Sequence, residues 1–334
     1  MLEVAVAGLA VVALVAYGVL GGADFGGGVW DAFASGPRAA KQRDVIARAM
    51  GPVWEANHVW LIFVIVLLFS GFPLAYSALS VGLFAPFHLV LLGIILRGAA
   101  FVFRAYSPQS GRSLGPGPGA RRWGVVFGVA SVMTPMLLGM CLGAVSAGGF
   151  HVVSGDVHLE GLPWLTPVAL AIGAFALAMC AYLAAVFLAY ETDGPLREDF
   201  RTRALGAGTA VVALSGLMLP LLARQAPHLW QGLLAGRSLP VIVAGVIAAL
   251  ASGWWLRTRR YRLARVAAVA QVACLLAGWA LAQYPFLIYP GLTLFDAAAP
   301  PATLRFILYS TPLGMALLLP SLWYLFRVFK GQVL

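Results

Sequence analysis

The chain contains very few charged residues. Asp, Glu, Lys and Arg make up 10% of its 334 residues, whereas hydrophobic residues make up 61%. In a soluble globular protein about a quarter of the residues are charged and less than half are apolar. This composition therefore excludes a soluble enzyme, a nucleic-acid-binding domain and a disordered tail. It indicates a protein that crosses a membrane several times.

Cysteine is also scarce. Cys141, Cys180 and Cys274 lie far apart in the sequence, each within an apolar run. An odd number of cysteines without a C-x-x-C or C-x-x-C-H motif argues against a disulfide framework, a zinc site and covalently attached haem. We expect the three side chains to be buried as small hydrophobic groups.

Long apolar runs predict an all-α protein with nine transmembrane helices in a single membrane domain over residues 1–334. Each run is long enough for the roughly 20 residues that a helix needs to cross a bilayer. Only helices satisfy every backbone polar group within a single open-ended segment. The predicted spans are 3–30, 52–72, 79–104, 123–147, 164–190, 204–223, 239–256, 263–283 and 304–327.

The basic residues predict the orientation of these spans. Of the 22 Lys and Arg residues, 18 belong to alternate loops or tails on one side, three belong to the other side, and Arg97 lies within a span. Cytoplasmic loops carry the excess of Lys and Arg, so the N-terminus is predicted outside and the C-terminus inside. We interpret the positive charge as this topology signal and as a contact for anionic lipid, not as a nucleic-acid site.

Three ionisable residues within the spans are the first candidates for function, because charge in the hydrocarbon is costly. Asp24 lies in GGADFGGGVWD, Glu55 in GPVWEANHVWLI and Arg97 in LLGIILRGAAFVFR. At 1.5 Å per residue, all three lie about 8–10 Å from the inner ends of their spans. We expect them to form one cluster. Two interpretations remain open: proton or ion handling, or an ion cluster that only fixes helix packing.

Histidine offers little support for haem or metal binding by this chain. His58 and His88 are the two histidines within the predicted spans, and they lie at different depths. Two axial ligands to one haem need to face each other at one depth, so we predict that the chain ligates no haem iron and no other metal. Trp60 lies deeper in its span than most other tryptophans, which lie near span ends. Two interpretations of Trp60 remain open: core packing and a functional role.

The chain resembles subunit II of the cytochrome bd-type quinol oxidases over its whole length, and the specific motifs lie mostly in its first third. The resemblance rests on GGADFGGGVWD at 21–31, GPVWEANHVWLI at 51–62 and RGAAFVFR at 97–104, which occur in this order. LTLFDA at 292–297 is similar to the last outer loop of that family.

This resemblance implies a two-subunit enzyme of the bacterial cytoplasmic membrane that oxidises quinol and reduces oxygen to water. Two haems b and one haem d are expected in the partner, subunit I. This chain would stabilise that partner without being catalytic by itself. Its fold would comprise two four-helix bundles, approximately residues 1–148 and 164–330, and one peripheral helix. A small single-span accessory subunit and a bound quinone or lipid could also be present.

The resemblance also implies roles for particular residues. Asp24 and Glu55 match acidic positions of a proton route, and Arg97 and Trp60 match positions near an oxygen path. Asn57 and His58 stand in the same motif as supporting residues. Many relatives have D-G-F-D where residues 21–24 read GGAD, and Asp where Glu55 stands. These departures suggest the cyanide-insensitive-type branch.

An ion-coupled secondary transporter is the alternative. Transporters of this kind tend to have paired broken helices in matching halves. The glycine-rich stretch around Asp24 has no evident counterpart in the second half of the sequence. This asymmetry favours the oxidase subunit.

Overall fold

Long helices dominate the structure, a computed structural model that describes residues 1–50, 54–105, 118–153 and 156–330. The first six helices, α1 to α6, cover Leu2–Ala32, Ala39–Met50, Trp54–Gly71, Pro73–Gly82, Phe84–Ala105 and Pro118–Ala147. The next six, α7 to α12, cover Pro167–Glu191, Gly194–Gln225, Pro227–Leu234, Leu239–Arg257, Tyr261–Gln283 and Pro301–Lys330.

Four short strands form two antiparallel hairpins between helices. β1 (Phe150–Val153) pairs with β2 (Asp156–Leu159), and β3 (Phe286–Ile288) pairs with β4 (Leu292–Thr293). A 3-10 turn at Pro163–Leu165 leads into α7. The hairpins lie at the end of the molecule where α6 and α11 end.

Eight described helices are long and apolar enough to cross a membrane: α1, α5, α6, α7, α8, α10, α11 and α12. A ninth crossing results only if α2 and α3, which are bent by 51° relative to each other, count together as one span. The predicted span 52–72 corresponds to α3, although residues 51–53 lie outside the described residues. The all-α membrane fold is thus confirmed, and the number nine stays a prediction.

Several helix boundaries differ from the predicted ones. The predicted span 79–104 is divided at Leu83, which separates α4 from α5. Pro86 contributes to this break, because it has no N–H to donate to the carbonyl of Gly82 four residues earlier. The helix α8 begins ten residues before the predicted span 204–223, since its first turns are polar and invisible to hydropathy. The helix α2 was missed for the same reason.

Helices of each half pack mainly with one another and meet along α1, α6 and α7. The helix α1 contacts α3, α6 and α7, and α6 contacts α5 and α7. In the second half, α7 contacts α8 and α11, and α10 contacts α11. The helix α12 touches α1 and α3 only along one side, and most of its surface is exposed. This arrangement places α1 at the centre of the molecule.

One end of the helices carries most of the charged side chains. We call it the arginine-rich end; it comprises the ends of α1, α5, α7 and α10, the starts of α8 and α11, and the helix α2. Side chains join these elements here: Arg104 pairs with Asp31 at 2.6 Å, and Arg38 pairs with Asp199. The two hairpins lie at the opposite end.

Candidate functional site: a buried ion pair beside an acidic cavity

Glycines allow α1 to approach its neighbours closely around Asp24. A Cβ at Gly26 would overlap the main-chain carbonyl of Cys180 on α7. A Cβ at Gly28 would overlap the hydroxyl of Ser131 on α6. Small residues permit such close packing of membrane helices. Asp24, two residues before Gly26, is only 4% exposed.

Arg97 of α5 forms a buried ion pair with Asp24. Its Nη1 donates to Asp24 Oδ2 at 2.9 Å, and its Nη2 donates to the Asp24 main-chain carbonyl at 3.0 Å. Its Nε donates to Ser131 Oγ at 3.1 Å. The guanidinium also lies 5.0 Å from the ring centre of Phe25 and 5.1 Å from that of Phe127. All three guanidinium nitrogens of Arg97 therefore donate hydrogen bonds, which helps a buried charge pair to be tolerated.

Glu55 does not join this pair. It lies in the first turn of α3 and is exposed, whereas Asp24 and Arg97 are buried. Within the described parts of the chain, no hydrogen bond or ion pair connects Glu55 to either residue. The structure therefore brings together two of the three residues that were expected to cluster. The third, Glu55, is exposed instead.

Asn57 and His58 pack α3 against α1. Asn57 is buried, and its Nδ2 donates to the main-chain carbonyl of Leu20 at 3.4 Å. The His58 ring centre lies 6.0 Å from the ring centres of both Tyr17 and Phe25. Both side chains thus hold the helix that carries Glu55 next to the helix that carries Asp24.

Trp60 lies in an apolar cluster with Ala13, Tyr17 and Phe25. Its side chain is 9% exposed, and its indole nitrogen has no hydrogen-bond partner among the described residues. This environment suits core packing, and it equally suits the passage of a small apolar molecule. The oxygen-path role of Trp60 stays a prediction.

A cavity of about 80 Å³ lies beside the ion pair. Its lining comes from α1, α2, α3 and α7 and contains three polar side chains: Asp24, Asn57 and Glu191. A cavity needs about 10–15 Å³ of this accessible volume to hold one water molecule, so this cavity has room for a few. Glu191 was not predicted as a site residue, because an acidic residue at the end of an apolar run indicates only where the helix stops.

The arginine-rich end contains further ion pairs that the sequence analysis did not identify. Arg104 of α5 binds both carboxylate oxygens of Asp31 on α1 at 2.6 and 2.9 Å. Arg38 binds Asp199 of α8 at 2.8 Å, and this hydrogen bond raises the pKa of the exposed Arg38 guanidinium. The first pair joins α5 to α1, and the second joins the loop after α1 to α8. They fix the ends of α1, α5 and α8 next to one another.

The histidines of the spans have different surroundings. His58 lies among aromatic side chains of α1, whereas His88 is exposed and bonds the carbonyl of Phe84 on its own helix at 2.8 Å. In the described ranges, no group of three or more His, Cys, Asp or Glu side chains could hold a metal ion. The arrangement offers no facing pair of haem ligands from α3 and α5, and the absence of haem ligation by this chain stays a prediction.

Comparison with known proteins identifies the family. The family model described as cytochrome bd terminal oxidase subunit II matches residues 2–329. The putative cytochrome bd menaquinol oxidase subunit II of Bacillus subtilis is 23% identical over 326 residues, which is 94% of this chain and 91% of that protein. Cytochrome bd-I ubiquinol oxidase subunit 2 of Escherichia coli K12 is 27% identical over 208 residues, which is 61% of this chain and 52% of that protein.

The fold of the chain is similar to that of a solved bd oxidase structure. The chain matches a chain of the bd oxidase from Geobacillus thermodenitrificans with a TM-score of 0.81 and 23% identity, and the match covers 98% of each chain. The resemblance drawn from the sequence motifs is therefore confirmed, and the alternative of an ion-coupled transporter is rejected. Since the family model spans nearly every residue, the chain belongs to the family of cytochrome bd terminal oxidase subunit II.

Proposed function

We propose that the chain is the non-haem subunit of a quinol:oxygen oxidoreductase and works with a haem-bearing subunit I. The similar proteins from B. subtilis and E. coli are named as menaquinol and ubiquinol oxidase subunits, so the proposal specifies a quinol without choosing between them. In this proposal subunit I holds two haems b and one haem d. The present chain supplies no catalytic residue and supports the reaction through its own polar and apolar interior.

The same proposal places the arginine-rich end at the cytoplasmic side of the bacterial cytoplasmic membrane. The positive-inside rule supports this orientation, since most Lys and Arg residues lie at that end. The N-terminus is then outside. The helices α2 and α3 together make one crossing, which gives nine. Residues 1–148 and 164–330 form the two bundles, and α12 is the peripheral helix.

The observation that carries the proton role is the position of Asp24. Its carboxylate is buried, is held by Arg97 through Oδ2, and lines a cavity that can contain water. Among the described residues only Arg97 donates to this carboxylate. The other oxygen, Oδ1, is then available to accept a proton or a hydrogen bond from water. We infer that Asp24 belongs to a route that supplies protons from the cytoplasm for the formation of water.

Glu55 is assigned to the end of this route that faces the partner. A carboxylate exposed to lipid at this depth would cost at least a few kcal/mol. Glu55 is exposed on α3, so in the membrane it requires water or the surface of another subunit beside it. We infer that Glu55 faces subunit I and transfers protons to that subunit. Asn57 and His58 support this position because they hold α3 against α1.

Arg97 and Trp60 are proposed to border an oxygen path. Oxygen is small and apolar, so it moves through closely packed apolar side chains such as those around Trp60. Arg97 contributes by fixing α1, α5 and α6 together next to that cluster. A bound quinone or lipid and a small single-span subunit complete the proposed assembly. The largely exposed surface of α12 is one place where such a subunit could pack.

Co-purification tests the proposed assembly. The chain is expressed with its genomic haem-bearing partner, affinity-tagged on this chain only, and purified from membranes. We expect a complex whose spectrum contains haem b and haem d. Variants with His58→Ala and His88→Ala should keep every haem band of the assembled complex. Loss of one band from an otherwise assembled complex would show that this chain ligates haem, and recovery of a colourless chain from cells that produce the partner would contradict the assembly.

A further inference from the structure

The cavity beside the ion pair reaches from the interior to the surface at the arginine-rich end. Its innermost polar residue, Asp24, is 4% exposed, whereas Glu191 at its other end is an exposed residue. Along α7 the lining runs from Ala184 to Glu191, which is about 10 Å along the helix axis. The cavity therefore joins a buried carboxylate to a surface carboxylate.

The wall between these two carboxylates is mainly apolar. The helix α2 contributes only Ile46, Ala49 and Met50 to the lining, and α7 contributes Ala184, Phe187 and Leu188 besides Glu191. Asn57 is the one further polar side chain among the described lining residues. Water in such a cavity finds hydrogen-bond partners at its two ends and at Asn57. A short file of water with a carboxylate at each end suits the passage of protons.

We propose that Glu191 is the entry carboxylate of the proton route and that the water-filled cavity connects it to Asp24. The inference rests on the proposed proton role of Asp24 and adds the point at which protons enter. Glu191 takes a proton from the cytoplasmic water, and its O–H donates to the first water of the file. The file passes one proton inward to Asp24 Oδ1, and Glu191 returns to the carboxylate. No bond other than O–H forms or breaks.

The charged and titratable groups around the cavity are compatible with inward proton movement. At the inner end, Asp24 faces Arg97 on α5 and lies within electrostatic range of His58 on α3 and Tyr17 on α1. Arg97 keeps Oδ2 occupied, so only Oδ1 exchanges protons. The α7 side adds Cys180 near Tyr17, and α2 adds no ionisable group to the lining.

Charged residues also lie near the Glu191 end of the cavity. Arg265 of α11 lies over the ring of Tyr190, the residue before Glu191. Asp193, two residues beyond Glu191, is paired with Arg197 at 2.6 Å and does not line the cavity. Asp193 therefore serves as a matched control: it is an acidic residue at the same helix end that lies outside the cavity.

The first experiment compares Glu191→Gln with Asp193→Asn in the complete complex. Quinol-dependent oxygen consumption is measured between about pH 6 and about pH 8, with haem content as the measure of assembly. We expect Glu191→Gln to lower the turnover number about tenfold at the alkaline end and much less at the acid end, because direct entry of protons from the bulk becomes limiting as their concentration falls. Asp193→Asn should follow the wild-type profile, and Glu191→Asp should restore most of the activity.

A second pair of variants tests the cavity without changing any charge. Ala49→Leu places a larger side chain into the lining, and Ala47→Leu makes the same change on the same helix outside the lining. We expect Ala49→Leu to reproduce the alkaline loss of turnover, whereas Ala47→Leu leaves the profile unchanged. If the Glu191→Gln variant fails to assemble, Ala49→Leu and Ala47→Leu still test whether protons pass through the cavity.

The outcomes separate this inference from the proposed function. A wild-type complex without quinol oxidase activity would contradict the proposed function itself. An active wild type with an unchanged pH profile in assembled Glu191→Gln and Ala49→Leu variants would overturn the entry role of Glu191 only. A loss of turnover that is equal at every pH would also overturn it, because a merely structural defect has no reason to depend on proton concentration.

Discussion

Arg97 binds Asp24 at two points, through the carboxylate at 2.9 Å and through the main-chain carbonyl at 3.0 Å. One side chain of α5 thereby fixes both the side chain and the backbone of α1. The two residues are 73 positions apart in the sequence, so this contact ties the first span to the helix that follows α3 and α4. Both side chains are buried, at 4% exposure for Asp24 and 2% for Arg97.

Removal of one member of the pair should destabilise the complex more than removal of both. Asp24→Ala leaves the Arg97 guanidinium buried without a counter-charge, which costs about 3–5 kcal/mol. The double variant Asp24→Ala, Arg97→Met removes both charges and should recover part of that loss. Thermal denaturation of the purified complex, followed through the haem absorbance, measures the difference. A double variant less stable than Asp24→Ala would contradict the account of the pair.

Replacement of Gly26 should separate α1 from α7. A Cβ at Gly26 meets the backbone of Cys180, which cannot move aside as a flexible side chain could. Gly26→Ala should therefore reduce thermal stability and the yield of assembled complex, by an amount similar to the 1–3 kcal/mol typical of overpacking. Gly8→Ala on the same helix is the control, because nothing lies within 4 Å of its added Cβ. Equal stability of the two variants would contradict the close approach of α1 and α7.

Glu55→Gln should lower turnover without impairing assembly. Glu55 is exposed and, in the described ranges, bonds neither Asp24 nor Arg97, so its charge is not needed to hold the interior together. Oxygen consumption and haem content of the same preparation separate the two effects. Glu3→Gln, an isosteric change at the opposite end of α1, should alter neither quantity. Poor assembly of Glu55→Gln would assign it a structural role, and normal turnover with normal assembly would remove it from the route.

Labelling of single cysteines should reveal the orientation. In a background where the three native cysteines are Ala, Ser35→Cys lies in the loop after α1 and Gln231→Cys lies on α9 at the other end; both positions are exposed. A membrane-impermeant maleimide added to intact cells should label Gln231→Cys only. Both positions should react after the membranes are broken open. Labelling of Ser35→Cys in intact cells would reverse the proposed topology.

The amino-acid sequence predicts the helices and the Asp24–Arg97 pair for clear physical reasons. Long apolar runs can only be membrane helices, and two opposite charges at one depth in the hydrocarbon are expected to meet. The exposure of Glu55 could not be predicted, because the rest of α3 is apolar and forms no polar face that would show how the helix is rotated. Depth along a helix follows from counting residues, whereas rotation depends on packing with the other helices.

Some helix boundaries and one site residue could not be predicted from hydropathy or from sequence motifs. The helix α2 and the first turns of α8 contain several charged residues, so a hydropathy-based prediction treats these segments as loops. The break at Leu83 depends on a single proline three residues later. Glu191 becomes a candidate only when α7 is placed beside α1 and α2, since no motif in the sequence connects it with Asp24.

Quinol-dependent oxygen consumption by membranes of a bacterium that lacks its own terminal oxidases tests whether this chain is a subunit of a quinol oxidase. Membranes that contain this chain together with its haem-bearing partner are compared with membranes that contain either protein alone. We expect oxygen consumption and a haem d band only when both proteins are present. Full activity of the partner alone, or oxygen consumption by this chain alone, would contradict it.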